Sequence, residues 1–302
     1  MKRDILYSPR IKEIQKKRQK IFLRKLLLSC IGLVVLFFIF TYVSGLAKLN
    51  ISGIEVAGNK ITDTELVQNA VREELAGKYF WLIPKTNIFF YPKNKIKAKL
   101  AENFKRLDNI SLSMKGENVL EVSTSERKAE YVWCGLSAQA GEAVPTIESE
   151  ENCYFMDATG YIFDTAPYFS GDVYFKFYGL THRATTEGKV SENENPIGSY
   201  FGDLGFANLV TLKEMLENIA VDPVALYKLE NGDLKIFLSS KSAKPLGPEI
   251  LIKIDADFQK IVENLQSALT TEPLLTDFKK KYSSLLYLDL RFGNKVYFKF
   301  KP

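Results

Sequence analysis

Hydrophobic and polar positions divide the chain into three parts. A strongly polar segment over residues 1–25 precedes an apolar run over residues 26–47, which contains no Asp, Glu, Lys, Arg or His. As an α-helix this run would extend about 33 Å, enough to cross the hydrocarbon core of a bilayer. From Lys48 onward, short apolar segments alternate with polar turns, as in folded domains. The pattern therefore predicts one transmembrane helix followed by a large folded region.

Charge indicates how that helix is oriented. Residues 1–25 hold ten Lys and Arg against two acidic residues, whereas the rest of the chain holds 31 basic against 34 acidic residues. Because Lys and Arg beside a span stay in the cytoplasm, we expect residues 1–25 to be a cytoplasmic tail and the region after Lys48 to be extracytoplasmic. The basic excess is confined to the tail, so the composition argues against nucleic-acid binding.

Two alternatives concern this N-terminal region. The apolar run could be the core of a cleaved secretory signal, since Gly45 and Ala47 have the spacing that a signal peptidase accepts. Its length exceeds the usual apolar core of about 7 to 15 residues, which favours an uncleaved anchor that binds the lipid bilayer. Residues 10–25 either form a basic amphipathic helix on anionic lipid or are a disordered segment that only sets topology.

A first folded unit is predicted over residues 48–126, where strand and helix patterns alternate in the order β-α-α-β-β. Apolar alternation, helical spacing, capping residues and a Lys-Gly-Glu-Asn turn define its elements. They are a strand over residues 51–58, a helix that Thr62 or Asp63 caps and Gly77 ends, a helix over residues 93–104, and strands over residues 110–114 and 119–123.

A second folded unit, residues 127–302, has a pattern of hairpins with few helices. Its clearest tight turn is Asn231-Gly232, a pair that favours a two-residue hairpin. The predicted strands cover residues 130–134, 153–156, 161–163, 226–229, 234–238, 251–254, 286–292 and 295–300, and the predicted helices cover residues 203–219 and 258–269. We expect a mainly antiparallel β domain with one or two helices.

Residues able to carry out catalysis or hold a metal are sparse in the sequence. The single histidine, His182, lies in a polar segment over residues 181–200 without neighbours at metal-ligand spacing. A nucleophile pair of Cys134 with His182 lacks any supporting signature, and no glycine-rich phosphate loop is present. We expect no metal, no cofactor, no small-molecule substrate and no enzymatic activity. A pair of glycosidase-type carboxylates, for example among Glu148 and Asp164, stays open.

Several short motifs, in this order and spacing, resemble those of the FtsQ/DivIB family of bacterial cell-division proteins. The motifs are the strand end Val56-Ala57-Gly58-Asn59, the turn Thr86-Asn87-Ile88-Phe89, the segment Ser125-Glu126-Arg127 leading to Trp133, the set Asp157, Gly160 and Phe163, and the strand Leu288-Asp289-Leu290-Arg291-Phe292. The resemblance covers roughly residues 25–300. It departs at residues 136–152 and in the polar segment.

The resemblance implies an α+β protein in which the transmembrane helix is followed by a POTRA domain at residues 48–126 and an FtsQ-type β domain at residues 127–302. It further implies a bitopic scaffold of the divisome, located in the cell membrane at the division septum. Its implied partners are the extracytoplasmic parts of the small coiled-coil proteins FtsB and FtsL. The alternative function is a membrane-anchored extracytoplasmic hydrolase with a POTRA-like spacer.

The resemblance also implies where partners bind, at the end of the Asp-Leu-Arg strand and along the last strand. The corresponding residues are Arg291, Phe292, Lys295, Val296, Tyr297, Phe298 and Phe300. An unpaired edge strand offers rows of N–H and C=O groups to which a partner segment can add as a further strand. In the alternative interpretation Val296, Phe298 and Phe300 belong to the core, and only Lys295, Tyr297 and Lys299 face outward.

The three cysteines fall in different regions. Cys30 lies inside the apolar run, where we expect it to act as a small apolar residue. Cys134 and Cys153 lie at the loop ends of two predicted adjacent strands, so they could form a disulfide in an oxidising extracytoplasmic compartment. Two free thiols are the alternative, since sequence alone does not give their geometry.

Overall fold

The computed structural model describes a defined part of the chain: residues 9–135, 153–169, 172–178, 181–182, 195–201, 205–229, 232–240 and 247–302. Outside it fall residues 136–152 with Glu148, most of the polar segment over residues 181–200, Asn231, and Asp203, at which a helix is predicted to begin. The chain forms two compact units, Met1–Glu126 and Arg127–Pro302. That division falls where the sequence pattern separates the two folded units.

The first unit begins with a long helix, α1 (Pro9–Ser44), whose Lys17–Ser44 part is long and apolar enough to span a membrane. The helix continues back through the basic residues from Pro9 on. It ends at Ser44, so the prediction that it extends to Ala47 is wrong at that end. The chain turns at Gly45, and the Asn50 side chain donates to the carbonyl oxygens of Ser44 (2.9 Å) and Leu46 (2.8 Å).

The rest of the first unit is a three-stranded sheet with two helices. Its elements are β1 (Gly53–Ala57), α2 (Thr64–Leu75), β2 (Lys78–Tyr79), β3 (Ile83–Pro84), α3 (Lys93–Asn103), β4 (Leu107–Lys115) and β5 (Val119–Glu126). The sheet order is β1-β5-β4, with β1 parallel and β4 antiparallel to β5. Asp63 caps α2 by accepting a hydrogen bond from the Glu65 N–H (2.7 Å). The helices bury Val67 and Leu100 against Leu120 of the sheet.

The second unit is built on one nine-stranded sheet. Its elements are β6 (Tyr131–Cys134), β7 (Cys153–Met156), β8 (Ile162–Thr165), β9 (Phe175–Tyr178), β10 (Thr181–His182), β11 (Tyr200–Phe201), α4 (Phe206–Asn218), β12 (Pro223–Lys228), β13 (Asp233–Leu238), β14 (Glu249–Lys253), α5 (Phe258–Leu269), α6 (Leu274–Lys280), β15 (Leu285–Phe292) and β16 (Lys295–Phe300). The strand order is β16-β15-β14-β13-β12-β9-β6-β7-β8, while β10 and β11 pair separately.

Most neighbouring strands in this sheet are antiparallel, and three pairs are parallel: β14 with β15, β9 with β12, and β6 with β9. The apolar faces of α4 and α5 cover one side of the sheet, where Leu212 and Leu265 are fully buried beside Leu288. Burying one such side chain contributes about 1.5–3 kcal/mol, so this layer stabilises the unit.

The structure confirms the coarse prediction of a mixed α+β protein with an N-terminal apolar helix and a large, mainly antiparallel sheet. The prediction of one or two helices in the second unit is wrong, because its described residues form three. The additional helix, α6, has only seven residues and follows Pro273. Such a short segment is below the length at which helical periodicity can be distinguished from a loop.

Candidate interaction edge at the last two strands

The last strand, β16, lies at the end of the nine-stranded sheet. Among the residues that the structure describes, it pairs with β15 alone. Gly293, with φ of 66°, and Asn294 connect the two strands. We call the side of β16 that faces away from β15 the open edge.

Backbone alternation determines which groups lie along the open edge. The N–H of Lys301 donates to the carbonyl oxygen of Ser284 (2.7 Å), so at this position the backbone faces β15. The two register irregularities of the hairpin each add a residue to β15, which leaves β16 regular. Successive residues in a strand present their backbone groups to opposite edges. The N–H and C=O groups of Val296, Phe298 and Phe300 therefore face the open edge.

The side chains of these three residues have a different role. Val296, Phe298 and Phe300 are half-buried and pack against the core of the second unit, whereas Lys295, Tyr297 and Lys299 are exposed on the opposite face. A segment added at the open edge would thus meet the backbone of the inward-facing residues. On the outer face it would lie beside two lysines and a tyrosine.

Arg291 lies in an ion-pair network rather than pointing freely into solvent. Its Nε and Nη2 atoms donate to the two carboxylate oxygens of Asp289 at 2.9 and 2.7 Å, and Nη1 donates to Oδ2 of Asp233 at 2.8 Å. Burial alone would raise the pKa of Asp289, but the hydrogen bonds from Arg291 outweigh it and lower that pKa. The same bonds raise the pKa of Arg291. Arg291 therefore joins β15 to β13 across β14.

Two exposed aromatic rings lie next to the open edge. Phe292 is 57% and Tyr297 is 48% exposed, and their ring centroids are 5.4 Å apart in an edge-to-face arrangement. Together with Lys295, they give this end of the sheet a surface with both apolar and positively charged groups. Aromatic side chains on a surface are frequent anchors in protein interfaces.

The cysteine pair is at the other end of the same sheet. Cys134 on β6 and Cys153 on β7 lie directly opposite each other and form a disulfide, with Cα atoms 4.2 Å apart. The disulfide is buried in an apolar cluster with Val132 and Phe237. Five strands lie between β6 and β16, so the disulfide stabilises the sheet and does not form part of the open edge.

The motif residues around Glu126 and Asp157 hold turns together. Glu126 accepts hydrogen bonds from the backbone N–H groups of the turn before α2, at 2.7 Å from Thr62. Asp157 accepts from the Thr159 hydroxyl (2.6 Å) and forms an ion pair with Arg127 (2.6 Å). Burial would raise the pKa of Asp157, but these hydrogen bonds lower it.

No metal site can be built from the described residues, in which no group of three His, Cys, Asp or Glu side chains converges. His182 belongs to β10, opposite Tyr200 of β11. No family model matches the chain, and no curated protein matches it.

Proposed function

We propose that this chain is a single-pass membrane scaffold that recruits another protein by strand addition at the open edge of β16. The observation that supports it is the row of outward-facing backbone groups at Val296, Phe298 and Phe300, which pair with no described strand. Exposed edges promote association with other chains, and soluble proteins usually protect them with charged side chains, proline or bulges. Of these devices β16 has the exposed lysines Lys295 and Lys299 but no proline, and the register irregularities of the hairpin lie on β15.

The chemistry beside the open edge indicates what kind of segment would bind. Lys295 and Lys299 are exposed on one face of β16, with Tyr297 between them. A complementary strand would carry acidic or aromatic residues on that face. On the other face it would carry apolar residues that extend the row of Val296 and Phe298. An extended segment of this alternating composition is the partner that we expect.

The resemblance to the FtsQ/DivIB family makes the proposal more specific. It favours a divisome scaffold whose partners are FtsB-like and FtsL-like single-span proteins. The apolar helix Lys17–Ser44 would anchor the chain in the cell membrane. The basic residues before it favour a cytoplasmic N-terminus, with both folded units outside. The septum as location follows from the resemblance alone.

A proline substitution tests the open edge directly. Val296→Pro removes an N–H group that faces the open edge but none that faces β15, so the hairpin itself keeps its hydrogen bonds. The matched control is Val296→Ala, which loses side-chain packing but keeps the N–H. We expect the proline variant to lose co-purification of FtsB-like and FtsL-like proteins from detergent-solubilised host membranes, and the alanine variant to retain it. Equal recovery with both variants would exclude strand addition here.

Depletion of the chain distinguishes this function from the alternative hydrolase. A divisome scaffold predicts filamentous cells on depletion, and complementation by wild-type chain but not by Val296→Pro. A hydrolase predicts turnover of cell-wall fragments by the purified full chain. Turnover together with normal division after depletion would overturn the scaffold proposal.

A further inference from the structure

Four aromatic residues of the first unit are exposed in the segment between α2 and α3. Phe80 and Trp81 are each 92% exposed, Phe89 is 72% and Phe90 is 46% exposed. We call these four residues the aromatic loop. Exposed clusters of large apolar side chains mark surfaces that contact a protein or a membrane.

The backbone at Phe80 and Trp81 shows that their identity is not required by the turn. The N–H of Leu82 donates to the Tyr79 carbonyl oxygen (3.0 Å), which closes a β-turn with Phe80 and Trp81 at its centre. Both have positive φ, 47° and 64°, the conformation in which Asn and Gly are strongly preferred. Bulky residues are rare in this region because of steric strain. A pair of exposed aromatics held here indicates a contact beyond the fold.

Hydrogen bonds attach the aromatic loop to the end of α1. Asn87 is 1% exposed, and its side-chain amide donates to the carbonyl oxygen (3.1 Å) and the hydroxyl (3.0 Å) of Ser44, the last residue of the helix. The same side chain accepts a hydrogen bond from the N–H of Phe89 (3.0 Å). The N–H of Ile88 donates to the carbonyl oxygen of Leu49. This part of the loop therefore has a fixed position relative to the helix.

A contact between two aromatic rings shows which part of α1 lies beside the loop. The ring of Phe90 is 6.0 Å from that of Phe40 and perpendicular to it. Phe40 lies four residues before the end of α1, which corresponds to about 6 Å along the axis. Phe90 is therefore beside the apolar segment and not beyond its end. The hairpin of β2 and β3 also contacts α1 through β3.

We propose that the aromatic loop inserts into the headgroup region of the outer leaflet that α1 crosses. The inference rests on the proposed membrane anchoring of α1. Aromatic rings accumulate at this depth because one part of the ring system meets acyl chains while the rest meets polar headgroups. Lys78 and Lys85, at the two ends of the hairpin, would lie near lipid phosphates. The continuity of the loop with the apolar helix favours lipid over a protein as the occupant.

Tryptophan fluorescence tests this inference in the full chain. The protein has two tryptophans, and Trp133 is buried in the second unit at 8% exposure. We would reconstitute wild type and Trp81→Phe into phosphatidylcholine–phosphatidylglycerol vesicles and subtract their spectra, which isolates Trp81 without altering the core. We expect emission shifted to shorter wavelength than indole in water. We also expect a loss of intensity when lipids brominated near the headgroup are included.

A matched variant connects the signal to the loop. The double substitution Phe89→Ser with Phe90→Ser leaves Asn87 and the turn unchanged. We would introduce it into wild type and into Trp81→Phe, so that the difference between these two proteins again isolates Trp81. Reduced quenching of Trp81 by brominated lipid in the presence of the double substitution supports insertion by the aromatic loop as a whole. Unchanged quenching would contradict the inclusion of Phe89 and Phe90.

The outcomes also separate this inference from the anchoring proposal. Water-like, unquenched Trp81 emission from chain that remains in the vesicles after an alkaline wash overturns the loop insertion and leaves the anchor intact. Release of the chain by the alkaline wash overturns both.

Discussion

Arg291 on β15 crosses the neighbouring strand β14 to place its Nη1 atom 2.8 Å from Oδ2 of Asp233 on β13. The guanidinium also binds both carboxylate oxygens of Asp289. Two strands, β15 and β13, are thus connected through one side chain near the turn of the hairpin whose last strand has the open edge. The arginine of the Asp-Leu-Arg motif therefore helps to hold β15 in place. Because β16 pairs with β15, the arginine also influences the position of β16.

Arg291→Ala should destabilise the second unit. It leaves Asp233 and Asp289 without the guanidinium that compensates their partial burial, at a cost of about 2–3 kcal/mol. Urea unfolding of the full chain in detergent, followed by Trp133 fluorescence, measures the change. Arg291→Lys is the control, which keeps the charge but loses the two-oxygen contact and should fall between wild type and Arg291→Ala. An unchanged midpoint in the alanine variant would show that the network adds no stability.

Stability should fall at acidic pH because of Asp157. Its pKa in the folded state lies below the ordinary value of 3.8, since the Thr159 and Arg127 hydrogen bonds outweigh the effect of burial. A carboxyl group with a lowered folded pKa contributes stability that is complete above its unfolded pKa and disappears as the pH falls through the folded pKa.

We therefore expect the urea midpoint of wild type to decrease below about pH 4 more steeply than that of Asp157→Asn, which cannot ionise. Parallel pH profiles for the two proteins would contradict the assigned role of Asp157.

Gly160→Ala should be costly for two reasons. Gly160 has φ of 84°, and an added Cβ would lie 2.9 Å from Cγ of Phe206. Strain and overpacking together predict a loss of about 2–4 kcal/mol in the free energy of unfolding. Gly293→Ala is the matched control, because Gly293 has φ of 66° but open space around the added atom. Equal losses in the two variants would show that the Phe206 contact adds nothing.

Removal of the disulfide should lower stability while leaving the open edge intact. Replacing Cys134 and Cys153 by serine opens a loop with a sequence separation of 19 residues, which corresponds to about 3 kcal/mol. Thermal unfolding measures the loss. Alkylation of denatured, unreduced chain should modify Cys30 alone. Modification of all three cysteines would show that the pair is not oxidised in the purified protein.

Tyr297→Glu should weaken partner binding without unfolding the chain. Tyr297 is exposed beside two lysines and pairs its ring only with Phe292 among the described aromatic contacts. A carboxylate there would repel an acidic partner segment. Co-purification from host membranes measures binding, and Tyr297→Phe is the control that keeps the ring. Retained binding by the glutamate variant would remove the outer face of β16 from the proposed interface.

Elements with strong local signals were predictable from sequence. The predicted helix over residues 258–269 coincides with α5, because its apolar spacing is regular and Asp257 caps it. The last hairpin was also predicted within one residue at each end. In both cases alternation or helical periodicity extends over at least six residues, and a capping or turn residue marks the limit.

The position of β9 could not be read from the sequence. This strand has four residues, Phe175–Tyr178, and lies parallel to both β6 and β12 in the centre of the sheet. Parallel neighbours are joined by long connections, so no turn signal links β9 to its partners. The same limit applies to Arg291, whose partner Asp233 precedes it by 58 residues. Local patterns carry no information about contacts of this kind.

The aromatic loop marks a second limit. The aromatic residues themselves are visible in the sequence, but the positive φ values of Phe80 and Trp81 and the contact of Phe90 with Phe40 exist only in the folded unit. Large aromatic residues are normally predicted to be buried, whereas these rings are exposed. A surface site of this type is therefore not predicted from the sequence.

The bond between Asn87 and the last residue of α1 has a mechanical consequence. Because the buried Asn87 amide is hydrogen-bonded to the last residue of α1, the helix is attached directly to the segment between α2 and α3. If α1 crosses the membrane as proposed, a tilt or rotation imposed on it by a neighbouring membrane span would therefore also move the sheet and the helices α2 and α3 of the first unit. The junction would thus transmit a change of helix orientation in the bilayer to the folded region outside it.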